Sequence, residues 1–152
     1  MAKSPLILER FLPYRLSVIT NRISGALSRH YAARFGISIP EWRVIANLGR
    51  HPELSANQVA DRSAMDKVTV SRAVAALENK GLLERTRDDG DKRRSRLRLS
   101  EEGQAVYVEI APLALGFERE LLTALSPEEV TQLHGIIDKL TDKMDELSKD
   151  NR

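Results

Sequence analysis

Asp66-Lys67-Val68-Thr69-Val70-Ser71-Arg72-Ala73-Val74-Ala75-Ala76-Leu77-Glu78-Asn79-Lys80-Gly81 is the stretch on which the fold turns. Asp66 suits an N-cap, because its carboxylate can accept a free backbone N–H of the first turn. Gly81 suits the left-handed position just past a helix end. The stretch therefore predicts a helix closing at Lys80. At 100° per residue, Val70, Ala73, Val74 and Leu77 fall on one side and are expected to pack inward. The opposite side holds Val68, Arg72, Ala75 and Ala76, flanked by Thr69 and Ser71. An ordinary surface helix would carry more long charged side chains there.

Working backward, Ser55 and Gln58 have the spacing of a capping box, and a two-turn helix is expected over 56–62. Ser63-Ala64-Met65 is a short break. Working forward, Asp89-Gly90 is a hairpin turn signal, since glycine tolerates the positive φ such turns need. Beyond it, Leu97 and Leu99 alternate with Arg94, Arg96 and Arg98, a period of two that indicates a strand with one apolar and one basic face. Short helix, break, second helix and basic hairpin make a winged helix-turn-helix. A helix with a small-residue outer face fits the DNA major groove, and a ribbon beside it reaches a neighbouring groove or backbone. Arg72 is then placed for guanine O6 and N7 or a phosphate, Thr69 and Ser71 for phosphates or base edges, and Val68 for a thymine methyl. The hairpin carries Lys92, Arg93, Arg94, Arg96 and Arg98 within eight residues that begin at Asp91. A projecting Arg93 suits the minor groove, and Asp91 can hold its guanidinium by a forked pair of hydrogen bonds. Lys67, Arg94, Arg96 and Arg98 are expected as phosphate contacts. The plainer alternative for the hairpin is a solvated charge cluster.

The flanks read as helices. Leu16, Ile19, Ile23, Leu27 and Tyr31 recur at steps of three and four as far as Gly36. Pro40 suits a first helical position, followed by Trp42, Ile45 and Leu48 as far as Gly49. Ser100 caps a helix running past Pro112, which is a candidate kink. Ser126-Pro127-Glu128-Glu129 starts a last helix whose Val130, Leu133, Ile137, Leu140, Met144 and Leu147 keep an unbroken a/d pattern. That stripe can pack on this chain's own helices or on a second copy. A protein reading a two-fold site needs two recognition helices about 34 Å apart, which favours the second copy.

Charge is distributed unevenly. Residues 1–64 carry +5, 65–99 carry +4 and 100–152 carry −7, within a total of +2 over 152 residues. The basic part suggests a polyanionic partner; the acidic third fits either a segment held away from phosphates or a solvated helical surface. There is no cysteine, which excludes disulfides, thiolate metal sites and thiol redox sensing. No apolar run approaches the length of a membrane span, and the first residues do not resemble a secretory signal; a cytoplasmic location is expected. His30, His51 and His134 are scattered, and no glycine-rich phosphate loop or paired-histidine metal pattern occurs, so no catalytic residue, no metal site and no cofactor is expected. Seven aromatics, none on the basic hairpin, argue against binding single strands by stacking.

The chain resembles the MarR (multiple-antibiotic-resistance regulator) family of winged helix-turn-helix transcription regulators over nearly its whole length. The resemblance is carried by Glu41-Trp42-Arg43-Val44-Ile45, by Asp66 to Arg72, by Leu77-Glu78-Asn79-Lys80-Gly81-Leu82-Leu83, by the wing Arg87 to Arg94 and by Leu99-Ser100-Glu101-Glu102-Gly103. The family's Asp-x-Arg wing signature is matched by Asp91 and Arg93. The resemblance implies a homodimer joined through the first and last helices, binding double-stranded DNA at a near-palindromic operator. It also implies release by a small phenolic or aromatic-acid effector held between the DNA-binding lobe and the dimer helices. The family's cysteine-based peroxide sensing is excluded here. An organic anion needs a cationic or hydrogen-bonding anchor in an apolar pocket. By location the candidates are Ser24 and His30 on the first helix and Arg43 on the second; His30 falls on the apolar side of its helix, where a histidine can equally be a satisfied core residue, and Arg43 faces away from the apolar side of its own helix, which suits a surface or interface role equally well.

The expected fold is mainly α with a small β-hairpin wing. Residues 1–36 form part of the dimerisation region, 37–99 the winged helix-turn-helix, and 100–152 the C-terminal dimerisation helices. The expected function is a sequence-specific DNA-binding transcriptional regulator, a ligand-responsive homodimeric repressor. The alternatives are a winged-helix protein-interaction module and a metal-responsive regulator.

Overall fold

The computed structural model describes residues 3–87 and 95–151. The chain divides into two compact units, Met1–Leu113 and Ala114–Arg152.

The first unit contains the segment from which the fold was read. Helix α1 spans Leu12–Phe35 and stops at Gly36, whose φ of 65° no side-chain-bearing residue adopts cheaply. Helix α2 spans Ile39–Arg50. Its N-cap is Ser38, whose Oγ accepts the Glu41 N–H at 3.3 Å. Pro40 therefore sits second in the helix, one residue later than expected, where its missing N–H is still no loss. Helix α3, Ala56–Ser63, is closed at its start by both halves of the Ser55–Gln58 capping box. Ala64, at φ 51°, turns the chain left-handed before α4, Lys67–Asn79. Gly81 at φ 74° follows α4 as the spacing required, and the Leu82 N–H returns to the Leu77 carbonyl at 2.9 Å.

Strands β1, Leu83–Thr86, and β2, Arg96–Leu99, pair antiparallel with Leu83 opposite Leu99 and Glu84 opposite Arg98. Leu54 adds one further bridge to Leu97, its N–H and carbonyl both bonded to that residue. Helix α5, Glu101–Leu122, starts on Ser100, whose Oγ accepts the Gly103 N–H at 3.0 Å and donates to the Gly81 carbonyl at 2.7 Å. Pro112 lies inside this helix without ending it.

One core holds these elements together. It joins Tyr31 of α1, Val44, Ile45 and Leu48 of α2, Val59 of α3, Val70, Val74 and Leu77 of α4, Leu97 of β2 and Ile110 of α5, all within 2% of full burial. Burial of each such aliphatic side chain is worth about 1.5–3 kcal/mol, so the inward face of α4 is tied to every neighbour. The apolar stripe of α1 is divided. Tyr31 is buried and Leu27 packs against the core, whereas Leu16 and Ile19 are exposed.

In the second unit, α6 spans Pro127–Asp150 and opens with the Ser126–Glu129 capping box. No residue of α6 is buried. Leu133, Ile137, Leu140, Met144 and Leu147 are all exposed, so the a/d stripe is left without cover.

Candidate nucleic-acid interface

The division of α4 into two faces follows the angular reading. Val70, Ala73, Val74 and Leu77 are buried, while Val68, Ser71, Arg72 and Ala75 are exposed and Ala76 is half-buried. Val68 keeps 58% of its surface in solvent. Lys67 is exposed in the first turn. Asp66 caps the helix, accepting the Thr69 N–H at 2.7 Å on Oδ1 and the Thr69 hydroxyl at 2.8 Å on Oδ2. Those two bonds are the main reason the Asp66 carboxyl is held below its ordinary value. Thr69 is thus half-buried and already engaged. Beside this face, Ser38, Pro40 and Glu41 at the start of α2 and Thr69, Arg72, Ala73 and Ala76 of α4 line a cleft of about 380 Å³.

The wing is described only at its base. Asp91, Arg93 and Arg94, with the Asp89-Gly90 turn, lie outside the described residues. Arg96 is exposed opposite Thr86. Arg98 is exposed too, but its Nε donates to the Glu84 carboxylate at 3.0 Å. The basic strand face therefore meets a counter-charge from the opposing strand. Arg85 in turn donates to Glu78 of α4 at 2.7 Å, tying the wing base to the helix. On the other face Leu97 is buried and Leu99 half-buried, as the alternation required.

Of the three effector candidates, two meet. The Arg43 guanidinium donates to the Ser24 Oγ at 3.3 Å across α1 and α2. His30 is exposed, not on the covered side of α1; the residue that turns into the core is its neighbour Tyr31. A helix advances 100° per residue, so one step suffices to carry a side chain off a half-covered face. Tyr31, Trp42 and Tyr107 form a run of rings with centroids 5.7 Å and 6.4 Å apart. Burial pushes the Tyr31 hydroxyl pKa up, and the charge of Arg43 opposes that rise. Gly49 makes room for the run, because a Cβ there would lie 2.6 Å from Cζ of Tyr107.

One cluster went unread in the sequence. Lys80 donates from Nζ to the Gly36 carbonyl at 2.6 Å and to the Glu41 carboxylate at 2.5 Å. It joins the end of α1, the start of α2 and the end of α4. Glu41, at 7% exposure, is a carboxylate whose burial requires such a partner. Its position before Trp42 gave no signal, since its partner is distant in sequence. Among the described residues, no group of three or more His, Cys, Asp or Glu side chains is arranged to hold a metal ion.

Comparison with known proteins agrees with this geometry. Residues 35–94 match the family model described as MarR family. Transcriptional regulator HosA of Escherichia coli is 30% identical over 90 residues, 59% of this chain and 67% of that protein. The crystal structure of a MarR/EmrR family transcriptional regulator from Acinetobacter sp. ADP1 superposes with a TM-score of 0.85 at 30% identity, covering 93% of this chain and 99% of that one. The PcaV transcriptional regulator from Streptomyces coelicolor, solved in complex with its natural ligand, shares the fold at a TM-score of 0.77 and 24% identity, over 92% of this chain and 98% of that one.

Proposed function

The chain belongs to the MarR family of transcriptional regulators, and from that premise we propose that it is a homodimeric repressor that binds a near-palindromic duplex operator and is released by a small aromatic acid. The observation that carries the reading is the outer face of α4. Val68, Ser71, Arg72 and Ala75 present a low-relief surface with one long donor on a helix whose other face is held by the core. Small side chains let a helix enter the major groove, and the arginine then reaches guanine O6 and N7. Lys67, Arg96 and Arg98 supply phosphate contacts in this reading, with Arg94 beside them and Arg93, steadied by Asp91, in the minor groove. Residues 37–99 form the DNA-binding region; 1–36 and 100–152 supply dimer contacts. The uncovered stripe of α6 supports the dimer, because five large apolar side chains at a/d spacing gain stability once a second helix removes them from water. A cytoplasmic location accompanies this reading; no helix among the described residues is long and apolar enough to cross a membrane.

The effector reading rests on Arg43. A guanidinium bonded to Ser24 beside the Tyr31–Trp42–Tyr107 rings offers a carboxylate anchor next to an aromatic surface. The PcaV structure, with its natural ligand bound in the same fold, supports a ligand-responsive mechanism. The ligand acts by favouring a dimer whose recognition helices are wrongly spaced for one duplex.

The test is a fluorescence titration of labelled DNA from upstream of the chain's own gene, at several salt concentrations. Log affinity is expected to fall steeply with log salt as phosphate counterions are released. Arg72→Ala is expected to weaken binding roughly tenfold or more with an unchanged melting temperature, since Arg72 is exposed. A flat salt plot, or equal binding by the variant, refutes the assignment.

A further inference from the structure

We infer that Thr69 reads an exocyclic amino group on a DNA base, acting solely as a hydrogen-bond acceptor because its hydroxyl already donates to the Asp66 carboxylate. The inference rests on the proposed docking of α4 in the major groove and decides between the two contacts open to Thr69 there, phosphate or base edge.

A threonine hydroxyl has one proton to give and two lone pairs to offer. The Thr69 Oγ1 lies 2.8 Å from the Asp66 Oδ2. An ionised carboxylate has no proton, so the hydroxyl is the donor, and a bond to a charged acceptor is roughly twice as strong as a neutral one. The same carboxylate is held by the Thr69 N–H at 2.7 Å through its other oxygen, which fixes its orientation. What Thr69 still presents is oxygen lone pairs with a negative charge directly behind them. A phosphate oxygen, itself only an acceptor and anionic, finds neither a donor nor a favourable field at that spot. Base edges in the major groove differ: adenine N6 and cytosine N4 carry amino donors, whereas guanine O6 and thymine O4 are acceptors. Thr69 therefore favours adenine or cytosine on the strand it faces. Arg72 is three residues on, lines the same cleft and only donates, so it favours the opposite polarity. The two residues form a reader of amino and keto groups one helical turn apart.

Selection of duplexes from a random-sequence pool with the full-length protein tests this. The wild type is expected to enrich a motif with one base pair fixed in identity and orientation at one position of each half-site, the adenine or cytosine of that pair being the base whose amino group is contacted. Thr69→Val has nearly the same shape and retains the backbone cap to Asp66. It is expected to lose preference at that position alone. Affinity for the selected duplex should fall roughly three- to tenfold per half-site, while affinity for unselected duplex and the salt dependence stay unchanged. Thr69→Ser is expected to keep the preference. Asp66→Asn remains a good N-cap but offers an amide N–H to Oγ1, which frees the hydroxyl proton; the preferred base is expected to switch to guanine or thymine. Deleting the amino group from the selected base, with purine in place of adenine or 2-pyrimidinone in place of cytosine, is expected to weaken the wild type and leave Thr69→Val unaffected. If Thr69→Val weakens unselected and selected duplex alike, Thr69 holds a phosphate and the inference is wrong. It is equally wrong if Asp66→Asn keeps the wild-type preference. If the wild type enriches no motif at all, the DNA-binding reading beneath it fails instead.

Discussion

Gly103→Ala separates local preference from tertiary packing by the sign of its effect. Gly103 is the third residue of α5, and its N–H donates to the Ser100 Oγ at 3.0 Å. A Cβ at this position would overlap the Leu82 carbonyl oxygen and lie 2.9 Å from the carbonyl carbon and 3.4 Å from its Cα. These are backbone atoms, and rotation of a side chain cannot relieve the clash. The Leu82 carbonyl is also pinned, accepting the Ser100 N–H at 3.1 Å, while the Ser100 Oγ donates to the Gly81 carbonyl at 2.7 Å. Opening a gap for the methyl strains all three bonds at the point where the end of α4, the base of the wing and the start of α5 meet. Helix propensity alone makes alanine more stable than glycine by about 0.8–1 kcal/mol. Against that stand overpacking at about 1–3 kcal/mol and weakening of three bonds at about 0.5–1.5 kcal/mol each. The net expectation is a loss of at least about 1.5 kcal/mol, and up to about 6.5 kcal/mol if all three bonds are broken. Urea unfolding followed by Trp42 fluorescence, at one fixed protein concentration, measures it. A midpoint equal to or above that of the wild type would show that α5 does not approach Leu82 as closely as described.

Three further outcomes are expected. Glu84→Gln removes the charge that engages Arg98, so duplex affinity should rise at low salt and the log–log salt slope should steepen by about one unit per released cation; an unchanged slope would mean that Arg98 does not reach phosphate. Leu140→Asp places a charge in the centre of the exposed α6 stripe, and sedimentation is expected to show monomer at concentrations where the wild type is dimeric, with operator binding lost; a dimer that persists refutes the role of α6. Asp66 has a lowered pKa in the folded chain, owing first to the Thr69 N–H and then to the Thr69 hydroxyl. Its contribution is complete above the ordinary carboxylate range and disappears as the pH falls through the lowered value. Asp66→Asn should therefore flatten the acid side of the melting profile and leave the neutral side nearly unchanged; identical acid slopes would contradict the bond.

Legibility tracked the distance over which each feature is encoded. The ends of α3, α4 and α6 were readable because their caps join residues three apart, within one turn. The inward face of α4 was readable because every buried position repeats at the helical period. The ion pair of Arg98 was not legible, because its partner, Glu84, faces it through strand register. His30 is exposed although Leu27 and Tyr31 on either side of it meet the core, because it lies one 100° step around α1 from Tyr31, and periodicity does not tell how wide the covered face is.

Composition and spacing alone determined that the chain carries a helix with one aliphatic face and one small-residue face, followed by an arginine-rich hairpin, because both patterns are local and set by backbone geometry. Only the tertiary structure decided how individual polar groups are committed. Glu41 is bound to Lys80, Arg43 to Ser24, and Arg98 to Glu84. The physical reason is that hydrogen-bond donors and acceptors saturate. A side chain's capacity for a ligand is what remains after its neighbours in space have taken their share, and those neighbours come from distant parts of the chain.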